Sequence, residues 1–157
     1  MPLSSHANMT LSALRQYPQR RLLGWQSKLA RLQLSERTAP RVELAGRNLP
    51  RPVAQLSGGN QQKVLFAKGL VQRVDLFVYD EPTVGVDMGT RSAIYALVKD
   101  LCEAGAGVVV VSSDLPEILH LCHRAYVMRR GRLVAELQGG AITESAVLQH
   151  FFAEDAA

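Results

Sequence analysis

Two short apolar runs constrain this chain most. Val74 to Tyr79 and Val108 to Ser112 are β-prone and too short for helices. Between them, Arg91 to Glu103 has helical spacing, with Ile94, Leu97, Val98 and Leu101 on one face. A strand with one wet face alternates apolar and polar residues, whereas a continuous run marks a strand covered on both faces. Strands joined through a helix pair in parallel. The pattern predicts an α/β core of parallel strands with flanking helices. The first strand ends at Asp80-Glu81, and ligands of such sheets bind at the C-terminal ends of strands.

The remaining elements read locally. Thr10 is placed to cap a short helix through Tyr17, with Leu11 and Leu14 on one side and Pro18 as its stop. Leu22, Trp25, Leu29 and Leu32 predict an amphipathic helix over 20–33 whose stripe packs into a core. Pro40, Gly46, Pro50 and Pro52 make 35–55 a long irregular connection. Ser57 is a good N-cap for a helix reaching about Arg73. Asp114 with Pro116 opens a short helix through about Cys122. Strands Ala125–Met128 and Leu133–Leu137 flank a turn at Arg129–Arg132, and Thr143 caps a last helix through Phe152. Cys102 and Cys122 fall at apolar-type helix positions and read as buried free thiols.

Charge divides the chain. Residues 1–55 hold nine of the 18 basic residues and only Glu36 and Glu43 among the acids, while the remainder carries a net charge of −3. The basic residues are dispersed, the only aromatics among them are Tyr17 and Trp25, and no binding motif is present. A solvated basic face is therefore expected, with no nucleic-acid partner. No apolar stretch approaches the roughly 20 residues that a membrane helix needs.

Three segments carry chemistry. Leu56-Ser57-Gly58-Gly59-Asn60-Gln61-Gln62-Lys63 is a Ser-Gly-Gly turn opening a helix. Glycines let backbone N–H groups approach a ligand, and the helix N-terminus and the serine hydroxyl favour an anion such as a phosphate. Leu76 to Glu81 puts carboxylates at a strand end, where Asp80 could hold a nucleotide-bound magnesium and Glu81 could polarise a water. Pro82 to Asp87 is a tight loop whose acid would otherwise pass as a helix N-cap.

The order and spacing of the three resemble the ATP-binding-cassette ATPases. Leu56–Gln61 is similar to the family signature, Leu76–Glu81 to the Walker B strand and Val84–Asp87 to the D-loop. Asn60-Gln61-Gln62-Lys63 looks like the monosaccharide importers, whose ATPases carry two cassettes in one chain. Ser112–Glu117 and Asn8–Leu14 look like the second of these cassettes. The resemblance implies a helical subdomain over 1–73, ending in the signature helix. It implies the C-terminal part of a RecA-like core over 74–157, with a terminal hairpin and helix. It also implies ATP and Mg2+ as cofactors, with Ser57, Gly58, Gly59 and Gln61 contacting the γ-phosphate of ATP on a partner cassette. Asp80, Glu81 and Asp87 would serve as the metal, catalytic and D-loop residues. The implied partners are another cassette, membrane permease subunits and, indirectly, a periplasmic binding protein, at the cytoplasmic face of the inner membrane.

Two departures qualify the match. No Gly-Lys pair occurs, so the sequence has no Walker A phosphate loop, and Ser113 stands where the family has its switch histidine. The chain reads as the C-terminal part of a cassette, with the Walker A strand and N-terminal β subdomain missing and the apolar edges beside Val74–Tyr79 and Val108–Ser112 left exposed. By itself it is expected neither to bind nor to hydrolyse ATP. The alternative reading is a non-enzymatic accessory fragment acting only in trans.

Overall fold

The computed structural model describes residues 3–15, 28–72 and 74–152. They fall into two compact units, Met1–Val109 and Val110–Ala157. This division follows contacts, whereas the sequence boundary after residue 73 follows motifs, so neither tests the other.

The first unit begins with helix α1 (Ser5–Met9) and a 3₁₀ turn at Ser12–Arg15. Tyr17 and Pro18 lie outside the described residues, and within them Thr10 does not cap the turn that follows it. It ends α1, because its hydroxyl donates to the His6 carbonyl at 2.8 Å and accepts from Arg31 Nε at 3.1 Å. Those partners lie in the preceding turn and in a distant helix, and they outcompete the following amides for the hydroxyl. Helix α2 (Lys28–Thr38) runs further toward the C-terminus than the leucine stripe implies. Leu22 and Trp25 lie outside the described residues, and Leu29 and Leu32 are exposed, so the visible half of that stripe is not core.

Residues 39–55 form three 3₁₀ turns, Ala39–Val42, Gly46–Asn48 and Val53–Gln55. They are irregular but not loose. Val42, Leu44 and Leu49 are buried, and backbone bonds from Ser5 to the Arg51 carbonyl (2.8 Å) and from His6 to the Leu49 carbonyl (3.0 Å) sew α1 onto this stretch.

Helix α3 (Gly58–Leu70) packs against α1 and buries Val64, Phe66, Ala67 and Leu70. Strand β1 (Leu76–Asp80) follows, then α4 (Met88–Glu103) and β2 (Gly107–Val111), which pairs with β1 in parallel. Ile94, Leu97, Val98 and Leu101 are buried along α4, as their spacing predicts. The strands are not covered on both faces. Phe77 is buried, but Leu76 is 58% and Val78 63% exposed, and Val109 is also exposed. One face of this unit's sheet is thus apolar and uncovered. Cys102 is exposed rather than buried: it follows Leu101, so a helical turn of about 100° carries it off the apolar face.

The second unit holds helix α5 (Leu115–Leu121) and a hairpin of β3 (Arg124–Arg129) and β4 (Arg132–Gln138). Arg129 pairs with Arg132 across a two-residue loop in which Arg130 and Gly131 both have positive φ, 48° and 77°. That backbone matches the twist of the flanking strands. Helix α6 (Glu144–Phe152) lies against the hairpin, capped by Thr143 Oγ1, which accepts from the Ala146 amide at 3.2 Å. Cys122 is half-buried and forms no disulfide.

Candidate functional site

The three chemical segments converge in the first unit, at the N-terminus of α3, the end of β1 and the start of α4. Ser57 precedes α3 with extended backbone (φ −61°, ψ 156°), and the bond from the Gln61 amide to its carbonyl, 2.9 Å, is the first of the helix. The N–H groups of Gly58, Gly59 and Asn60 therefore have no carbonyl one turn back. Ser57 and Gly58 are exposed and Gly59 is buried. Donors of this kind, without side chains in front of them, fit a phosphate oxygen.

The serine does not cap the helix with its hydroxyl. Ser57 Oγ instead accepts from Asn60 Nδ2 at 2.8 Å, while Gln61 Nε2 turns back to the Leu56 carbonyl at 2.9 Å. Asn60, which the sequence reading assigned no role, is thus the residue that orients the hydroxyl. Its place one helical turn from Ser57 is the signal that could have shown it.

Glycines hold this turn against the segment after β1. A Cβ on Gly58 would meet the Gly85 carbonyl at 3.2 Å, and one on Gly59 would meet Thr90 Oγ1 at 2.6 Å and Asp87 Oδ2 at 3.2 Å. Asp87 caps α4, accepting from the Thr90 amide (3.0 Å) and hydroxyl (2.9 Å). Those two Thr90 bonds, the backbone one first, hold its carboxyl below the usual range.

Asp80 ends β1 and is exposed; Glu81 follows, half-buried, with a left-handed φ of 47°. Among the described residues no group of three or more His, Cys, Asp or Glu side chains could hold a metal. Asp80 therefore fits magnesium only as one ligand alongside nucleotide and water oxygens. Beneath it, Tyr79 packs its ring 4.4 Å from that of Phe66, and burial pushes its hydroxyl up to about 12. Ser113, in the second unit, is exposed. The structure thus brings Ser57, Gly58, Gly59 and Asp87 together, with Asp80 and Glu81 opening the loop that leads to Asp87.

A glycine-fronted helix start set against the loop from a strand-end acid pair, in an α/β core, defines a nucleotide-binding cassette. Solved cassettes share the fold. The dimeric ATP-binding cassette MJ0796 bound to ADP and Pi superposes with a TM-score of 0.76 at 28% identity, over 88% of this chain and 58% of that one. A metal-chelate type ABC transporter in an inward-facing conformation matches in fold alone, with a TM-score of 0.80 at 17% identity, over 97% and 59%.

Residues 4–84, just over half of the sequence, match the ABC transporter family, and the chain belongs to it. Curated relatives include the arabinose import ATP-binding protein AraG of Azospirillum brasilense, 40% identical over 90% of this chain and 27% of that protein. The ribose import ATP-binding protein RbsA of Pseudomonas putida is 40% identical over 94% and 28%. A second ribose import protein, RbsA 2 of Rhizobium meliloti, is 46% identical over 62% and 19%. The chain spans about a quarter or less of the length of these relatives. ATPases of this family bind ATP with Mg2+.

Proposed function

We propose that this chain is the signature-bearing part of the ATP-binding subunit of a sugar importer, acting on ATP held by a partner cassette. The observation that carries the reading is the Ser57–Asn60 turn, an exposed hydroxyl oriented by an amide beside two side-chain-free backbone donors. Ser57, Gly58 and Gly59 would bind the γ-phosphate oxygens in trans, and Gln61 would lie at the edge of that contact. Asp87 would hold the loop between cassettes through its cap on α4. Bound Mg-ATP supplies the electrophilic phosphorus and its charge-neutralising metal. Asp80 would be a ligand of the metal, and Glu81 would accept the proton of an attacking water. This sequence has no Gly-Lys pair, so the cradle for the β- and γ-phosphates must come from elsewhere.

The importer names of the relatives support a sugar as solute, with permease subunits as membrane partners and a periplasmic binding protein acting at a distance. No described helix is long and apolar enough to cross a membrane, which suits peripheral attachment at the cytoplasmic face through the permease. The test is to mix the chain with a cassette carrying complete Walker motifs and Mg-ATP. Stimulated hydrolysis that Ser57→Ala abolishes supports the reading; no stimulation counts against it. The chain alone should show no micromolar ATP binding by calorimetry.

A further inference from the structure

Helix α3 lays one face along β1 and the loop that follows it. Positions 58, 59, 62, 66 and 69 recur at helical spacing. Gly58 and Gly59 meet Gly85, Asp87 and Thr90; the Phe66 ring packs tilted against that of Tyr79, 4.4 Å between centroids; and a Cβ on Gly69 would touch the Phe77 ring at 3.3 Å. Gln62 is the polar member of this row. Its Nε2 donates to the Pro82 carbonyl at 2.6 Å, across 20 residues of sequence.

Pro82 is fully buried and follows Glu81, whose φ of 47° is uncommon for a residue with a side chain. The loop beyond it has two long backbone bonds, from Val84 to the Glu81 carbonyl (3.3 Å) and from Val86 to the Thr83 carbonyl (3.4 Å). Weak internal bonds and an unusual φ mean that this loop is held from outside. Gln62 is a side-chain donor reaching its backbone from α3.

We propose that Gln62 is a positioning residue, tying the Ser57 turn to the loop that carries Glu81 so that engagement of one reorders the other. A phosphate drawn to Ser57, Gly58 and Gly59 pulls on the first turn of α3, and Gln62, one turn later, passes that displacement to Pro82. The tether itself stands on the geometry alone, and its response to nucleotide rests on the in-trans reading above. The site that serves a partner's ATP is thereby linked to the acid that serves another.

The experiment has two arms, both on the full chain by residue-resolved hydrogen exchange. In the first, without nucleotide, the Gln62 side-chain amide should be protected and coupled across its bond to the Pro82 carbonyl carbon. Gln62→Met, which keeps the length and loses the donor, should speed exchange at Val84 and Val86 at least tenfold. Mid-α4 amides should not change, nor should any of these in Leu65→Ala, on the exposed side of α3. An unprotected Gln62 amide in the wild type overturns the tether without any variant, as does unchanged loop exchange in a folded Gln62→Met.

In the second arm, a cassette with complete Walker motifs is added with Mg-ATP. Binding should slow Val84 and Val86 exchange about fivefold in the wild type. Gln62→Met should still bind the cassette but lose that response, a split that a merely structural role would not give. Equal protection in both chains overturns the coupling. A wild type that fails to bind overturns the in-trans reading instead, and the first arm then decides the tether by itself.

Discussion

A Cβ placed on Gly59 would lie 2.6 Å from the Thr90 hydroxyl oxygen, so α3 and α4 approach as they do because position 59 carries no side chain. Alanine in a helix is favoured over glycine by about 1 kcal/mol. Here it must push back an oxygen bonded to Asp87, and overpacking of that kind costs about 1–3 kcal/mol. Gly59→Ala should therefore be destabilising on balance. Thr90→Ala removes the nearer oxygen, and the double variant should lose less than the sum of the two singles. Urea denaturation measures this; strictly additive losses would show that Thr90 is not what excludes the side chain.

The uncovered face of the first unit's sheet carries Leu76, Val78 and Val109 side by side on paired strands. Parallel sheets are ordinarily covered on both faces, and exposed apolar strands template association. The chain should self-associate with rising concentration in sedimentation velocity. Val78→Thr with Val109→Thr keeps β-branching and adds hydroxyls to that face, and should shift the distribution toward monomer. A wild type that stays monomeric at tens of micromolar would contradict this account of the face.

What could be read in the sequence was what neighbours decide. The β3–β4 hairpin and the Thr143 cap follow from contacts within a few residues, and both form where the sequence puts them. The motifs that mark the family are equally local, three short strings in order. Competition between partners, near and far, decided the rest. The Thr10 hydroxyl is taken by His6 and Arg31, and Ser57 is engaged by Asn60 rather than by its own helix amides. The apolar runs at 74–79 and 108–112 predicted strands correctly but not their cover. A run of apolar residues records what a strand is suited to contact, and here that contact is not supplied. Gln62 has no local signature at all, because its partner, Pro82, lies 20 residues on.

Asp87 gives a pH signature with a definite sign. Its folded pKa is lowered by the Thr90 amide and hydroxyl, so the stabilisation is complete above the ordinary aspartate value of about 3.9. It is lost as pH falls below that value, through the folded one. Asp87→Asn keeps a capping oxygen but cannot titrate. Between about pH 5 and 8 the two chains should keep a constant stability difference. Below about pH 4 the wild type should fall more steeply. Parallel acid limbs in a urea-midpoint series would remove the cap from any role in the pH dependence.

Tyr79 buries its hydroxyl without a hydrogen-bond partner among the described residues, against Phe66 and Phe77. A buried hydroxyl without a partner costs about 1–3 kcal/mol. Tyr79→Phe should thus be neutral or stabilising, while Phe66→Ala, which empties the same contact, should lose about 3–5 kcal/mol. With its hydroxyl pushed up to about 12 by burial, Tyr79 should also ionise late in an ultraviolet titration, well above the ordinary tyrosine value of about 10.

Glu117, in the first turn of α5, is 0% exposed, and neither carboxylate oxygen has a hydrogen-bond partner among the described residues. Such a group loses its hydration and receives nothing in return, a cost of about 1–3 kcal/mol or more. Methionine matches its length without a polar atom and should pack in the same space. Glu117→Met is therefore expected to stabilise the chain, and Glu117→Gln to do so less, because its amide would be equally unmatched. The control is Glu136 on β4, an exposed acid 3.8 Å from Arg124, where the same exchange should change stability by less than about 1 kcal/mol. If Glu117→Met instead lowers the urea midpoint while Glu136→Met does not, the Glu117 carboxyl is contributing an interaction that offsets its burial.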